Sequence, residues 1–236
     1  MQYLLIFLLL TSACFAGEPD IPLHNRCIYP SVIIEPEESG LSMGSGVVIK
    51  SIYHEKQKHW LNTVLSCAHI IEKPIAPKVR SKYKLKVGNY KNWSQLVDYT
   101  PYDVHIRRID YDLDICVINY WSKTEQKTAE LDRSPNLYIG NDIFRVGCGL
   151  QEEMRLDYGK VTSLNSQLQP GRLRTSIFCL PGDSGGPIYH NYKLVGIVQS
   201  IRYMHTDENV RVPVPHISYI VPLKFFTEND LTAPYP

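Results

Sequence analysis

The chain has 236 residues, of which 44% are apolar and 21% charged, and its 25 basic and 24 acidic side chains leave a net charge of +1. These proportions are typical of a globular domain and exclude a long disordered chain. The balanced charge gives no general attraction for nucleic acid or for an anionic membrane, so neither is expected as a partner. Sixteen Pro, 14 Gly and 16 Tyr predict short strands separated by many turns.

The amino terminus carries an apolar segment that is too short to span a bilayer. Leu4 to Leu10 are all apolar, whereas a transmembrane helix needs about 20 such residues. Small residues follow, so the pattern predicts a secretory signal peptide over residues 1–16, although the first three residues include no Lys or Arg. Leu10 to Cys14 also resembles a bacterial lipoprotein box, so a lipid anchor at Cys14 is an alternative. A third alternative is that the apolar N-terminus is retained. We expect a secreted or periplasmic protein, or a lipid-anchored envelope protein, with no transmembrane anchor.

Five cysteines follow the predicted leader: Cys27, Cys67, Cys116, Cys148 and Cys179. An odd number leaves at least one thiol outside any disulfide, and the apolar neighbours favour buried free thiols. The sequence contains neither a Cys-x-x-Cys motif nor a Cys/His cluster with the spacing of a zinc site. We therefore expect no metal and no cofactor.

Short segments rich in β-branched and aromatic residues predict an all-β fold with turns between the strands. In chain order the predicted strands are Ser31 to Ile34, Gly46 to Ser51, Trp60 to Ser66, Tyr83 to Val87, Val104 to Ile109, Ile115 to Tyr120, Ile143 to Val146, Gly159 to Ser163, Arg172 to Phe178, Pro187 to Tyr189, Lys193 to Ile201 and Ser218 to Val221. Helical signal is short: one piece follows His69, and a C-terminal helix is predicted from Pro222 to Thr227. A polar stretch at 125–136 predicts a linker between two halves, about 28–122 and 137–221, of one domain over 17–236.

The strongest motif is Gly-Asp-Ser-Gly-Gly-Pro at 182–187. A serine between glycines can sit on a tight turn and present its hydroxyl to a cleft. The amides of Gly182 and Ser184 can then point together at a developing oxyanion, which contributes roughly 3–4 kcal/mol per donor. The structural alternative is a glycine-rich turn whose serine only caps a backbone group. We predict Ser184 as a nucleophile, with Gly182 and Ser184 forming an oxyanion hole.

A serine needs a positioned base before it can attack a carbonyl group. His69 follows a predicted strand and is preceded by small residues, so it can reach across a cleft. A third group must orient the imidazole and stabilise its cation. Asp114 directly precedes an apolar run and is the preferred candidate, with Asp112 second. Asp110 and Asp112 are both expected in the solvated turn.

In these motifs the sequence resembles a trypsin-like serine protease of the chymotrypsin fold. The motif residues occur in the family's order, and Ser66 to His69 stands where the family has Thr-Ala-Ala-His. Leu194 to Val198 is similar to the strand that follows the nucleophile. Gly-Ser-Gly at 44–46 makes the resemblance closer to bacterial HtrA-like relatives than to animal digestive enzymes. The resemblance implies two packed six-stranded antiparallel β-barrels, with a short C-terminal helix and a cleft site between the barrels.

Some features of the family have no counterpart in the sequence. There is no Ile-Val-Gly-Gly start, so we expect Asp183 to be satisfied by local backbone or side-chain donors rather than by a new terminal ammonium group. The family's common disulfides are not matched, since Cys67 precedes the histidine and Cys179 lies in the pocket segment. The sequence ends at Pro236, with no room for the PDZ domain of HtrA proteins. We expect a stand-alone domain.

Specificity rests on the residues around the pocket that the resemblance implies. Phe178 lies six positions before Ser184, where a trypsin-like pocket has an acidic residue, so cleavage after Lys or Arg is not expected. Ile201 falls where an open pocket has Gly, which predicts a shallow apolar pocket unless the loop lengths differ and neither residue lines it. Gln199, Ser200 and Ile201 are expected to pair with an extended protein or peptide substrate by β-augmentation.

Two classes of function fit this sequence. The first is a secreted serine endopeptidase in which His69, Asp114 and Ser184 form a catalytic triad that acts through an acyl-enzyme. The second is a non-catalytic peptide- or protein-binding module on the same scaffold. The complete set of three residues favours the first.

Overall fold

The computed structural model describes residues 20–36, 43–71, 83–91, 95–149, 154–205 and 211–232. The elements of its first half are α1 (Ile21–Leu23), a π-helix (His24–Ile28), β1 (Ser31–Pro36), β2 (Gly44–His54), β3 (His59–Ser66), β4 (Tyr83–Lys91), β5 (Gln95–Asp103), β6 (His105–Asp110) and β7 (Ile115–Ser122). The second half contains β8 (Asp142–Gly147), β9 (Arg155–Ser163), β10 (Leu173–Thr175), β11 (Pro187–His190), β12 (Lys193–His205), β13 (Arg211–Pro222), a 3-10 turn (Leu223–Phe225) and α2 (Glu228–Thr232).

The first seven strands form one antiparallel sheet in the order β5-β4-β1-β2-β3-β7-β6. Strands β5 and β6 lie at opposite edges although only Val104 separates them in sequence, so the sheet must roll until its edges approach each other. The rings of Tyr102 on β5 and Tyr120 on β7 lie 4.9 Å apart across this closure. The inside is a core of buried apolar side chains that includes Val32, Ile34, Val48, Val64, Leu85 and Ile118.

The last six strands form a closed barrel in the order β10-β13-β12-β11-β8-β9. Its interior is filled by buried aliphatic residues, including Ile143, Val161, Ile177, Ile188, Val198 and Ile220. Strand β8 is buried continuously over 143–147, because Ile143 faces this interior whereas Phe144 and Val146 pack in a separate apolar core.

A third apolar core joins the two halves. It packs Val47, Leu65 and Val117 of the first sheet with Phe144 and Leu194 of the barrel. The segment between β7 and β8 is extended and bonds to both halves: the amide of Ala129 donates to the carbonyl of Val48 (2.9 Å), and that of Leu194 donates to the carbonyl of Glu130 (2.7 Å). These contacts fix the first sheet and the barrel against each other.

The all-β prediction is confirmed, and every predicted strand overlaps a strand of the structure. The barrel has the six strands predicted for the second half, whereas the first sheet has seven. The strand that was not predicted is β5, whose sequence contains Asp98 and Pro101; such residues are tolerated at the edge of a sheet, where β5 lies. The span predicted as a C-terminal helix holds the 3-10 turn, and α2 begins at Glu228.

Residues 1–16 and Cys14 lie outside the described residues, as does most of the predicted helical piece after His69. No helix in the described part of the chain has the length and apolarity that crossing a membrane requires.

Candidate active site

The pairing of β3 with β7 brings His69 and Asp114 together. Ser66 at the end of β3 lies opposite Cys116 near the start of β7, so the segments just beyond the two strands are neighbours. Nδ1 of His69 lies 2.9 Å and 3.0 Å from the two carboxylate oxygens of Asp114. The backbone amide of His69 also donates to Asp114 (2.9 Å). This carboxylate therefore fixes both the ring and the main chain of the histidine.

Asp114 is held by the tight turn that precedes β7. Its φ is +56°, in the left-handed region that aspartate tolerates better than most residues. The turn is closed by Asp110, whose Oδ1 accepts the amides of Asp112 (3.1 Å) and Leu113 (2.9 Å). The bond from Leu113 is the main reason why the pKa of Asp110 is lowered. Of the three acidic residues considered from the sequence, the structure thus brings Asp114 to His69, gives Asp110 a role in the turn and leaves Asp112 exposed.

Ser184 lies in the loop between β10 and β11, at the junction of the two halves. Its Oγ is 2.9 Å from Nε2 of His69. The amide of Ser45, on β2, donates to the carbonyl of Ser184 (2.7 Å), and the amide of Gly185 donates to Val198 on β12 (2.8 Å). Gly185 has φ +82°, and a Cβ there would lie 2.2 Å from the carbonyl oxygen of Ser45, so only glycine fits.

The loop that carries Ser184 contains two backbone amides that have no protein acceptor in the described part of the chain. Gly182 has φ +100°, and its carbonyl is fixed by a hydrogen bond from Oγ of Ser45 (2.8 Å). Within the residues that the structure describes, neither the amide of Gly182 nor that of Ser184 donates to another protein group. Both donors therefore stay available for an oxygen atom bound beside Ser184.

Asp183 is fully buried and paired with an equally buried arginine. Nη1 of Arg145 lies 2.6 Å from Oδ1, and the amide of Leu180 donates to Oδ2 (2.7 Å). Arg155 adds a longer contact of 3.4 Å. Burial raises the pKa of Asp183, and Arg145 is the main influence that lowers it. The expectation that local backbone and side-chain donors satisfy Asp183 is confirmed.

Arg145 was not among the residues predicted from the sequence, although a visible signal existed. It is a charged residue among the apolar residues of β8 that follow Asp142, and buried charges in such a position need partners. Its guanidinium also donates to the carbonyl of Phe178 (3.0 Å) and to Asp157 (2.5 Å). Arg145 thereby ties the wall of the predicted pocket to the loop that carries Ser184.

A second arginine that the sequence did not reveal lies behind the His69–Asp114 pair. Arg172 is 6% exposed and donates to the carbonyl of Leu113 (2.6 Å) and to Oε1 of Gln199 (2.9 Å). The ring of Phe225 lies 4.8 Å below its guanidinium carbon. Burial lowers the pKa of Arg172, and the negative charge of Asp114 opposes this shift. Arg172 therefore places a permanent positive charge near the carboxylate and braces the turn that holds it.

The predicted substrate edge is open along β12. Strand β11 covers Lys193 to Ile197, and the backbone of Val198 then bonds to Gly185 and Gly186. From Gln199 to Ile201 that side of β12 has no ladder partner in the described part of the chain. Oγ of Ser184 lies 3.4 Å from the carbonyl of Gln199, so this edge begins at the serine.

The two predicted pocket residues differ in their surroundings. The ring of Phe178 is half-buried and lies 6.1 Å from the ring of His216, centroid to centroid. Ile201 is half-buried and packs against the core of the barrel. Ser200 faces outward, where its Oγ accepts a hydrogen bond from Nε2 of Gln169 (3.2 Å).

At one place among the described residues, three side chains of types that can bind a metal ion lie close together. Cys67, His69 and Asp114 have potential ligand atoms within 4.8 Å of one another. The thiol of Cys67 donates to the carbonyl of Val198 (3.0 Å), and burial raises its pKa well above the usual value, so it stays protonated. A protonated thiol is a poor ligand, and the nearby Arg172 repels cations. The cluster is better explained by the hydrogen bonds already described.

All five cysteines of the described chain are unpaired and buried, as expected for small apolar side chains. Burial raises the pKa of Cys27 and Cys179 to about 12 and that of Cys148 to about 11. Thiols in this state react slowly, because the thiolate is the reactive form.

Comparison with known proteins adds to this description. The sequence model of the family described as a trypsin-like peptidase domain matches residues 44–197, well over half of the chain. No curated protein sequence matches the chain. Among solved structures, the HtrA-type protease AlgW, in a serine-to-alanine variant with a tripeptide, has a TM-score of 0.63 and 16% identity, covering 86% of this chain and 59% of its own. The serine endoprotease from Yersinia pestis has a TM-score of 0.61 and 14% identity, covering 89% and 65%. The chain thus spans less than two thirds of either protein, and at these identities the likeness shows the fold alone.

Proposed function

Because the chain belongs to the trypsin-like peptidase domain family, we propose that it is a serine endopeptidase that hydrolyses peptide bonds through an acyl-enzyme. The observation that carries the proposal is the continuous hydrogen-bonded line from Asp114 through His69 to Ser184, with both contacts of the imidazole at 2.9 Å. A carboxylate only accepts hydrogen bonds, so Nδ1 of a neutral His69 carries the proton and Nε2 is left as the acceptor that faces Ser184.

In the proposed acylation step, Oγ of Ser184 attacks the carbonyl carbon of the scissile peptide bond. Its proton passes to Nε2 of His69, and Asp114 stabilises the imidazolium that results. The carbonyl oxygen becomes an oxyanion that the amides of Gly182 and Ser184 can bind. The tetrahedral species collapses, the C–N bond breaks, and the leaving amine takes the proton from His69.

In the proposed deacylation step, water replaces the leaving amine. His69 removes a proton from the water as it attacks the ester carbonyl, and then returns that proton to Oγ of Ser184 as the C–O bond breaks. The substrate would be held as an added strand along Gln199, Ser200 and Ile201, beside the pocket near Phe178.

We further propose that the protein is active without trimming of a zymogen segment. Arg145 and the amide of Leu180 already supply the donors that fix Asp183. Expression of residues 17–236, with the N-terminus checked by mass spectrometry, followed by active-site titration, tests this proposal. Reactivity that appears only after trimming near Arg26 would contradict it.

Export is a proposal that depends on the sequence of residues 1–16. Expression of the full chain in a bacterial host, followed by fractionation and mass spectrometry of the mature N-terminus, would show cleavage after Ala16. Incorporation of labelled palmitate that depends on Cys14 would instead support a lipid anchor.

Covalent labelling by a fluorophosphonate separates an enzyme from a binding module on this scaffold. We expect the wild-type protein to be labelled and Ser184→Ala to resist labelling, while Ser134→Ala, which changes an exposed serine elsewhere, reacts normally. Hydrolysis of a peptide library should fall by several orders of magnitude, about 10⁴- to 10⁶-fold, in Ser184→Ala and His69→Ala. A folded wild-type protein that neither reacts nor cleaves would refute the proposal.

A further inference from the structure

A cavity of about 520 Å³ lies beside the barrel, next to the open edge of β12. Its walls carry hydroxyl, amide and guanidinium groups, from Ser163, Asn165, Ser166, Gln167, Arg174 and Arg202, and Leu168 adds one apolar side chain. Arg174 points away from the barrel interior, because Leu173 and Thr175 on either side of it are buried. The cavity is thus a polar surface pocket rather than a gap in the core.

The two arginines of the cavity have no acidic partner in the part of the chain that the structure describes. Nε of Arg174 donates to Oγ1 of Thr162 (3.2 Å), which leaves its two terminal nitrogens available. The sequence has no Asp or Glu from 158 to 182 or from 184 to 206, the segments that supply the cavity and the adjoining strand. Two guanidinium groups that have no acidic partner among the described residues lie beside neutral hydrogen-bonding groups, an arrangement that suits an anionic ligand and carboxylates in particular.

The cavity is connected to the proposed substrate edge by a short hydrogen-bonded path. Gln169, in the loop that forms one wall, donates to Oγ of Ser200 (3.2 Å). Arg174 and Ser200 both lie opposite Tyr219 of β13, on its two sides. Arg202 follows Ser200 by two positions on β12. A chain that extends along this edge from Ser184 therefore runs toward Arg202. Arg174 lies two strands away, beyond β13, and lines the same cavity from the other side.

We propose that this cavity is an extended subsite that takes an acidic side chain of the peptide substrate, three to five residues on the N-terminal side of the scissile bond. The inference rests on the proposed function and specifies its substrate class. Every strand pair that the structure describes within the two sheets is antiparallel, so we expect the substrate to pair antiparallel with β12. The substrate chain then runs toward its own N-terminus from Gln199 to Arg202. At about 3.4 Å per residue, that distance is roughly 10 Å, or three residues of the substrate.

Peptide binding to Ser184→Ala tests the subsite without requiring hydrolysis. Labelled hexapeptide pools, with mixed apolar residues at the C-terminal end, differ only in having Glu, Gln or Lys at the third, fourth or fifth residue from that end. In fluorescence anisotropy we expect the best Glu pool to bind about 5- to 20-fold more tightly than the matched Gln pool, since each partly exposed cation contributes up to about 5-fold. The difference should shrink between about 50 mM and about 500 mM salt.

Single substitutions then show which groups are responsible. Arg202→Gln and Arg174→Gln should each reduce the preference for Glu several-fold, Arg174→Lys should keep most of it, and Arg202→Glu should shift the preference toward the Lys pool. Arg26→Gln is the matched control, because Arg26 is half exposed and faces Glu130 rather than the cavity. Thermal unfolding checks that each variant is folded.

The outcomes separate this inference from the proposed function. Equal binding of the Glu and Gln pools, or no binding of either, overturns the subsite even if wild-type protein reacts with a fluorophosphonate. A preference for Glu that Arg26→Gln abolishes as fully as Arg202→Gln also overturns it. A preference for Glu that depends on Arg174 and Arg202 supports the subsite, and it does so even if the fluorophosphonate fails to react and catalysis is refuted.

Discussion

Replacing Arg145 with methionine should destabilise the protein strongly and disorder the loop that carries Ser184. The side chains of Arg145 and Asp183 are both fully buried and lie 2.6 Å apart. Removing one member of such a pair leaves an uncompensated buried charge, which costs about 3–5 kcal/mol of unfolding free energy. For a domain of this size the loss corresponds to a fall in Tm of about 6–20 °C.

The loss should depend on pH in a defined direction. Arg145 is the main influence that lowers the pKa of Asp183, which burial raises. Without Arg145 the folded-state pKa rises further above the unfolded value of about 3.9. The destabilisation is therefore smallest in acid and grows as the pH rises toward the folded-state pKa, because the unfolded chain then loses its proton more readily.

Urea unfolding of Arg145→Met at about pH 5 and about pH 8, with active-site titration by a fluorophosphonate, measures both effects. Arg155→Met is the control, since its longer contact with Asp183 at 3.4 Å is partly exposed and should contribute less than about 1 kcal/mol. The double variant Arg145→Met/Asp183→Asn should recover much of the stability, because no buried charge is left unpaired. Equal losses in the single and double variants, or a stability within 1 kcal/mol of the parent in the single variant, would refute the reasoning.

Three further results are expected. Arg172→Met should lower the kcat of peptide hydrolysis by about 10- to 100-fold with little change in KM, since a hydrogen bond to a charged group contributes about 1.5–3 kcal/mol. Arg172→Lys should recover part of this loss. An unchanged kcat in Arg172→Met would contradict a positioning role for Arg172. Asp110→Ala should slow peptide hydrolysis, because it opens the turn that holds Asp114. Asp110→Asn keeps an oxygen acceptor and Asp112→Ala changes an exposed neighbour, so the hydrolysis rates of both should stay within about twofold of the parent. Equal losses of rate in all three variants would count against this role of the turn. The acylation rate should rise as the pH is raised from acid to neutral, because a general base accepts the serine proton only when it is unprotonated. A flat profile, with chemistry shown to limit the rate, would argue against His69 as the base.

Local sequence determined most of the fold and the identity of the three residues at the centre of the site. Strands such as Ile115–Ser122 are marked by β-branched and aromatic residues, and Gly-Asp-Ser-Gly-Gly-Pro marks a tight turn by its glycines, because these preferences depend on neighbouring residues alone. Strand β5 escaped prediction because Asp98 and Pro101 interrupt its apolar residues and because its pairing depends on its place at a sheet edge.

The two buried arginines depended on the tertiary structure. Arg172 and Leu113 are far apart in sequence, and the packing of the first sheet against the barrel brings Arg172 to the turn that holds Asp114. Arg145 and Asp183 are also far apart, and the pairing of β8 with β11 brings them together. The cavity at Arg174 and Arg202 has the same origin, since strand β13 sets the spacing between β10 and β12. A sequence specifies which charges exist, but the partner of a buried charge is chosen by the fold, because desolvation is compensated only by groups that packing places within hydrogen-bond distance.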